Sequence, residues 1–225
     1  MLQIPHDLII MLSGVSCVGK TTAAYNLLRE LPQLRRVSEL DIVRTIVRAI
    51  SKEISELEFV NLNAKEQINI IYKPLYKSIT NGDFPTLKQQ SAIMLKYIKE
   101  IVNRQQMRKI PTIIEGINII PSLYFYENKP IEGFQNNIVF INLFMSDIEE
   151  HKLRRHKRCN EREYKQNIKA IDEKINKLEK INRLLHKETT ILAAQHKNVF
   201  SIDVSGKCEK EVSSEIITYL SQLYS

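Results

Sequence analysis

Gly14-Val15-Ser16-Cys17-Val18-Gly19-Lys20-Thr21 is the stretch that decides the fold of this 225-residue chain. It fits the pattern G-x-x-x-x-G-K-[ST], which requires a strand before it and a helix after it. An apolar run over residues 7–14 ends in the first glycine, and residues 20–31 carry apolar side chains at helical spacing. The sequence therefore predicts a strand, a glycine-containing turn and a helix whose N-terminus faces phosphate.

The residues of this loop have expected tasks in binding ATP and Mg²⁺, the two predicted cofactors. The glycines let the backbone close around phosphate oxygens. Lys20 is expected to reach the β- and γ-phosphates, and the Thr21 hydroxyl is expected to be a magnesium ligand. Cys17 is expected to offer its backbone N–H rather than to act as a nucleophile. The predicted cofactor-binding residues are Gly14, Val15, Ser16, Cys17, Val18, Gly19, Lys20, Thr21 and Thr22.

Short β-branched runs alternate with helical segments along the rest of the chain. Strands are predicted at 36–38, 111–115, 137–144 and 198–203, and helices at 40–52, 147–157, 165–195 and 210–223. This alternation predicts an α/β fold of the P-loop NTPase type, with a doubly wound, mostly parallel sheet in a three-layer αβα arrangement. Residues 1–225 are expected to form a single domain with a mostly helical insert at about 53–109.

Composition narrows the class of protein. A chain that is 43% hydrophobic at this length can bury a full core without disulfides. Its three cysteines are an odd number at no metal-ligand spacing, which favours reduced thiols and a cytoplasmic location. The apolar runs over 8–12 and 138–141 are too short for a membrane span. We expect a monomer, or a homodimer formed through the long helix at 165–195.

The net charge of +7 is concentrated in one segment. Residues 151–187 contain thirteen Lys/Arg and five Asp/Glu, so this segment alone carries +8. The lysines after residue 165 are typical of a solvated helix face, whereas arginine is suited to bidentate contact with phosphate. One or two arginines could neutralise a phosphoryl group in transfer, and we take Arg154 and Arg158 as the catalytic candidates. The whole cluster is Arg154, Arg155, Arg158 and Arg162.

A P-loop alone leaves motors, switches and kinases open, and the carboxylates help to choose among them. Asp41 and Arg44 stand three residues apart at the start of a predicted helix. There Asp41 could take a proton from an acceptor hydroxyl while Arg44 holds an anionic group, although an aspartate at this place could also cap the helix. Glu115 ends the apolar run Ile113-Ile114. It is a Walker-B-like magnesium candidate together with Thr21, or an acceptor contact.

The loop and two further segments together resemble the 2-phosphoglycerate kinase family. The segments are Val37-Ser38-Glu39-Leu40-Asp41-Ile42-Val43-Arg44 and Ile113-Ile114-Glu115-Gly116-Ile117-Asn118-Ile119-Ile120-Pro121, and the likeness continues over 147–162. The D-x-x-R motif is also similar to that of zeta-toxin and chloramphenicol-phosphotransferase kinases, in which the aspartate is taken as the base.

The resemblance implies an adenylate-kinase-like fold with a mobile lid, here at about 152–165. It also implies transfer of the γ-phosphoryl group of ATP to a hydroxyl of a small anionic molecule such as 2-phosphoglycerate. The family usually has a histidine where this chain has Asn118, and a small hydroxyl residue where it has Leu40. Both positions face the acceptor in the resemblance, so Asn118 joins Asp41, Arg44 and Glu115 as a predicted substrate-binding residue.

Two alternatives stay open, one among enzymes and one among binding modules. One is a nucleotide or polynucleotide 5′-hydroxyl kinase, in which the +8 segment would follow a phosphate backbone. The absence of tryptophan and of aromatic residues interleaved with the basic ones does not favour nucleic acid as a partner. The other is a non-catalytic, regulatory NTP-binding module, which would have no need of the separate D-x-x-R motif.

Overall fold

Five parallel strands form the central sheet of the computed structural model, which describes residues 2–57, 61–77, 83–134, 137–161 and 168–225. In chain order, all the strands are β1 (Ile9–Ser13), β2 (Arg36–Glu39), β3 (Thr112–Glu115), β4 (Phe125–Tyr126), β5 (Lys129–Pro130), β6 (Ile138–Phe144) and β7 (Val199–Asp203). The central sheet has the order β2-β3-β1-β6-β7, while β4 and β5 form a small antiparallel hairpin.

Helices connect the strands and cover both faces of the sheet. They are α1 (Lys20–Glu30), α2 (Leu40–Glu56), α3 (Leu62–Tyr76), α4 (Phe84–Met107), α5 (Ile148–Glu161), α6 (Ile168–Ala193) and α7 (Glu209–Tyr224). Side chains of β1 alternate between two buried clusters because successive residues of a strand point to opposite faces. Ile10 and Leu12 pack in the cluster that contains α1 and α7, whereas Ile9 and Met11 pack in the one that contains α2 and α4. The predicted three-layer αβα fold is confirmed.

The helical insert is where the predicted bounds changed most. The structure places α3, α4 and the end of α2 in the predicted range 53–109. Helix α2 continues to Glu56, beyond the predicted end at residue 52, because no proline or glycine interrupts it there. Helix α4 begins after Asp83, whose side chain accepts a hydrogen bond from Thr86 N at 2.8 Å, with Pro85 in its first turn. The rest of the predicted turn, residues 81–82, lies outside the described residues.

The apolar stripe of α6 is core packing, as predicted. Ile175, Leu178, Ile181 and Leu185 are all buried, while the side chains of residues 168–171 lie outside the description. Across the described ranges, none of the helices combines the length and the apolar character that a membrane span requires.

This topology brings the carboxyl ends of the parallel strands to one edge of the sheet. The phosphate-binding loop follows β1, α2 follows β2, and Glu115 is the last residue of β3. Leu12 is paired with Glu115 across β1 and β3, and Glu39 is paired with Glu115 across β2 and β3. The sequence-predicted loop and carboxylates therefore lie at the edge where ligands bind in doubly wound sheets.

Candidate active site

The loop between β1 and α1 has the backbone of a phosphate cradle. Gly14 has φ of 137°, and a Cβ placed on it would lie 2.4 Å from the carbonyl oxygen of Leu143 in β6, so only glycine fits. Cys17 and Gly19 are both left-handed, with φ of 71° and 89°. Gly19 is the N-cap of α1, and no side chain hydrogen-bonds to that cap within the described chain. The N–H groups at the N-terminus of α1 can therefore bind an anion.

Lys20 lies at the start of α1 with its ammonium folded toward the loop. Its Nζ donates a hydrogen bond to the carbonyl oxygen of Val15 at 2.9 Å. Burial lowers the pKa of Lys20, and the nearby carboxylates of Glu115 and Asp41 oppose that effect. The two carboxylates that the sequence singled out, one on α2 and one at the end of β3, thus act on one ammonium group.

The two predicted magnesium ligands are in direct contact. The Thr21 hydroxyl donates to Glu115 Oε1 at 2.8 Å, and Glu115 is only 6% exposed. Burial raises the pKa of Glu115, while Lys20 and the hydrogen bond from Thr21 lower it. Paired oxygen ligands suit Mg²⁺, which proteins usually bind through one or two carboxylates together with substrate phosphates. Among the described residues, no group of three or more His, Cys, Asp and Glu is placed to hold a metal.

Asp41 and Arg44 form an ion pair on the first turns of α2. Arg44 Nη2 lies 3.3 Å from Asp41 Oδ1, and the side chain of Asp41 is 67% exposed whereas that of Arg44 is 18% exposed. The N-cap of α2 is Glu39, so Asp41 lies in the first turn and does not serve as the cap. Arg44 Nε is buried and lacks a hydrogen-bond partner in the described structure. An arginine in this state has unused capacity for an anionic ligand.

A single cavity of about 1020 Å³ joins these groups. That volume is at the upper end of the range for drug-sized ligand pockets. Twelve of the predicted site residues line its wall: Ser16, Cys17, Val18, Gly19, Lys20, Thr21, Thr22, Asp41, Arg44, Glu115, Arg154 and Arg158. Gly14 and Val15 are not among the lining residues, and Val15 is fully buried.

Asn118 is placed in the protein interior, away from the cavity wall. It is 1% exposed, and its Nδ2 lies 3.5 Å from the Ser91 hydroxyl of α4. Its Oδ1 has no hydrogen-bond partner within the described residues. The structure does not bring Asn118 together with the other predicted acceptor residues.

The arginines of α5 have three different surroundings. Arg154 pairs with Glu150, with Nη2 at 2.5 Å from Oε1, and lies near the glycine that caps α1. Arg155 donates from Nη1 to the Ser16 hydroxyl at 3.2 Å. Arg158 lines the cavity, and its charge adds to the larger effect of burial in lowering the pKa of Lys20. Arg162 and the end of the predicted lid, residues 162–165, lie outside the described residues.

His151 supports the phosphate-binding loop and was missed in the sequence. It is fully buried, and its Nε2 lies 2.8 Å from the carbonyl oxygen of Ser16. Because a carbonyl can only accept, Nε2 must carry the proton. Glu179 of α6 lies 3.9 Å from the other ring nitrogen. His151 and Arg155 stand four residues apart and both contact Ser16, a helical spacing that could have revealed them as one face.

The chain is similar to curated 2-phosphoglycerate kinases. It is 27% identical to the one from Methanococcus maripaludis strain C5 over 165 residues. This aligned region covers 66% of this chain and 46% of that protein. It is 22% identical over 167 residues to the one from Methanothermobacter thermautotrophicus, covering 70% of this chain and 49% of that protein. The chain thus spans about half the length of the curated relatives it matches. The resemblance expected from the motifs is confirmed, at a sequence identity of 22–27%.

The solved structures support the fold of this chain and carry no information on its function. No family model matches the chain. A crystal structure from Thermus thermophilus superposes with a TM-score of 0.50 at 15% identity, covering 99% of this chain and 100% of that chain. This likeness agrees with the three-layer sheet architecture described above.

Proposed function

We propose that this chain is an ATP-dependent kinase that transfers the γ-phosphoryl group to a hydroxyl of a small anionic molecule of the 2-phosphoglycerate type. One observation carries the proposal: the loop with Lys20, the Thr21–Glu115 pair and the Asp41–Arg44 pair all line one cavity. A module that only bound and hydrolysed a nucleotide would have no use for the last of these pairs. The similarity to 2-phosphoglycerate kinases supports the acceptor class.

The nucleotide side of the site is assigned to the loop and β3. The loop N–H groups and Lys20 would bind the phosphates of ATP, and Thr21 and Glu115 would hold Mg²⁺. When bound, Mg²⁺ would neutralise phosphate charge during transfer. Arg158 faces the same space as Lys20, so it is the better placed of the two arginine candidates to act on the phosphoryl group, whereas Arg154 is engaged by Glu150.

The acceptor side is assigned to the start of α2. Asp41 would accept the proton of the acceptor hydroxyl as its oxygen bonds to the γ-phosphorus and the bond to the departing ADP breaks. Arg44 would hold an anionic group of the acceptor. The exposed carboxylate of Asp41 and the desolvated guanidinium of Arg44 suit these different tasks, since a base must reach its proton while an anion-binding group gains strength from burial.

A screen of ATP consumption tests this proposal directly. The acceptors are phosphorylated glycerates, hydroxylated antibiotics, nucleosides and oligonucleotides with a free 5′ hydroxyl. We expect turnover with a phosphorylated glycerate, and ATP-Mg binding that is far tighter than oligonucleotide binding at about 150 mM salt. If an oligonucleotide is the preferred acceptor and its binding weakens steeply as salt rises, the chain is a polynucleotide kinase. Binding of ATP without transfer to any acceptor would favour a regulatory module.

Glu115→Gln should raise thermal stability while lowering magnesium-dependent turnover. Burial raises the folded-state pKa of Glu115 above its ordinary 4.5, so the folded chain holds this proton more tightly than the unfolded chain does. The contribution of Glu115 to stability therefore falls as pH rises from about 4.5 through the raised pKa. Melting curves of the variant and the wild type should diverge above that range and converge below it.

The same variant should lose about 10²-fold or more in turnover at saturating Mg²⁺, because it removes a charged ligand of the metal. Glu53→Gln is the matched control, since Glu53 is an exposed residue of α2. It should leave both the melting temperature and turnover unchanged. Unaltered turnover of Glu115→Gln would contradict the metal assignment.

A further inference from the structure

The cavity wall formed by α2 carries a second arginine that sequence analysis did not single out. Arg44 and Arg48 stand four residues apart, on one face of the helix, and both line the cavity. Asp41 lies one turn before Arg44 on the same face. The wall beside the proposed base thus presents two guanidinium groups in succession.

Among the described residues, Arg48 differs from Arg44 in having no carboxylate partner. Arg44 pairs with Asp41 at 3.3 Å, but within the described chain no carboxylate lies at ion-pair distance from Arg48. Burial lowers the pKa of Arg44, the charge of Asp41 opposes this effect, and the charge of Arg48 lowers the pKa further. Like charges one helical turn apart repel each other, so an anion between them would relieve the repulsion.

Tyr76, at the end of α3, holds Arg48 in place. The Arg48 Cζ lies 5.4 Å from the centre of the Tyr76 ring, a cation–π contact. The Tyr76 hydroxyl donates to the backbone carbonyl oxygen of Arg48 at 3.0 Å and also lies 3.0 Å from the Ser51 hydroxyl. These contacts connect α3 to α2 and restrict the side chain of Arg48. The arginine is therefore preorganised toward the cavity before any ligand binds.

We propose that Arg44 and Arg48, the latter oriented by Tyr76, form an anion subsite that selects acceptors carrying a phosphate group in addition to the hydroxyl that is phosphorylated. Two guanidinium forks can satisfy three phosphate oxygens, whereas a carboxylate needs only one fork. Arg48 is thus a specificity-determining residue and Tyr76 a positioning residue. The inference rests on the proposed kinase function, because it treats the bound anion as the phosphoryl acceptor. Its binding test does not require turnover.

The test compares 2-phosphoglycerate with glycerate, two compounds that differ by one phosphate group. Binding of each to the full chain is measured by calorimetry, and KM and kcat are measured separately with ATP-Mg. The wild type should bind 2-phosphoglycerate at least about 10-fold more tightly than glycerate. Arg48→Ala should weaken 2-phosphoglycerate binding by about 10- to 100-fold, as expected for lost hydrogen bonds to a charged group, and glycerate binding by less than about threefold.

Matched variants separate this role from a structural one. Lys52→Ala removes a cation from the same helix at a side chain that is 67% exposed and does not line the cavity, and it should change neither affinity. Tyr76→Phe keeps the ring, so its KM for 2-phosphoglycerate should stay within about threefold of the wild-type value. Tyr76→Leu removes the ring and should raise that KM with little change in kcat. Arg48→Lys keeps the charge without the fork and should recover only part of the affinity.

The outcomes distinguish the subsite from the kinase assignment. Equal affinity of the wild type for the two compounds, or binding of neither, overturns the subsite. So does an Arg48→Ala variant that loses the same affinity for both. Tight, Arg48-dependent binding of 2-phosphoglycerate without phosphoryl transfer supports the subsite and overturns the kinase proposal. Transfer to both compounds with no effect of Arg48 supports the kinase and overturns the subsite.

Discussion

Lys20→Ala should abolish detectable phosphoryl transfer while leaving the chain folded. The ammonium is the charge expected to neutralise the β- and γ-phosphates, and deleting one such preorganised donor typically lowers turnover by about 10²–10³-fold. The fold should tolerate the change, because burial already disfavours the charged form of Lys20 and the substitution removes that penalty together with one hydrogen bond to Val15. The measurements are ATP consumption with the best acceptor from the screen and the melting temperature.

Lys52→Ala serves as the control for this variant too, because Lys52 is an exposed lysine whose ion pair with Glu56 spans 3.8 Å on the helix surface. Such exposed pairs contribute at most about 1 kcal/mol to stability. Both variants should melt close to the wild type, but only Lys20→Ala should lose activity. Near-normal turnover of Lys20→Ala would rule out the phosphate-binding role of the loop.

The fold was predictable where local patterns were strong. The glycine-containing loop and the apolar runs at 111–115 and 137–144 each indicate their own structure, and β3 and β6 form within one residue of those predicted bounds. The end of α2 was harder to place because no proline or glycine marks it in the sequence. It contacts α3, and that pairing becomes visible only once the chain has folded.

The residues of the candidate site also differ in how easily the sequence reveals them. Residues that belong to short motifs, such as Lys20, Thr21 and Asp41, could be predicted because chemistry and spacing coincide in a few positions. The Thr21–Glu115 contact spans 94 residues but follows from topology, since Glu115 ends β3 and the loop that leads to Thr21 follows the neighbouring strand β1. In contrast, Tyr76 reaches Arg48 across 28 residues and His151 reaches Ser16 across 135, with no motif to mark either contact.

Asp41→Asn should reduce turnover by about 10²–10⁴-fold, with little change in ATP affinity. Asparagine keeps the size and the polar contacts of the side chain, but it cannot accept the proton of the acceptor hydroxyl. ATP is assigned to the loop, so its binding should be almost unaffected. Turnover at saturating acceptor and the dissociation constant of ATP-Mg are the two quantities to compare.

Magnitudes separate this role from a structural one. A loss of 10²–10⁴-fold corresponds to about 2.7–5.4 kcal/mol of transition-state stabilisation. The structural value of Asp41 is smaller, because an ion pair whose carboxylate is 67% exposed and a place in the first turn of a helix each contribute about 1 kcal/mol or less. Arg44→Ala is the matched partner, and it should raise the KM for the acceptor because an anion-binding group acts in the ground state and the transition state alike. If both variants lose only thermal stability and turn over normally, Asp41 and Arg44 are a surface pair and the acceptor binds elsewhere.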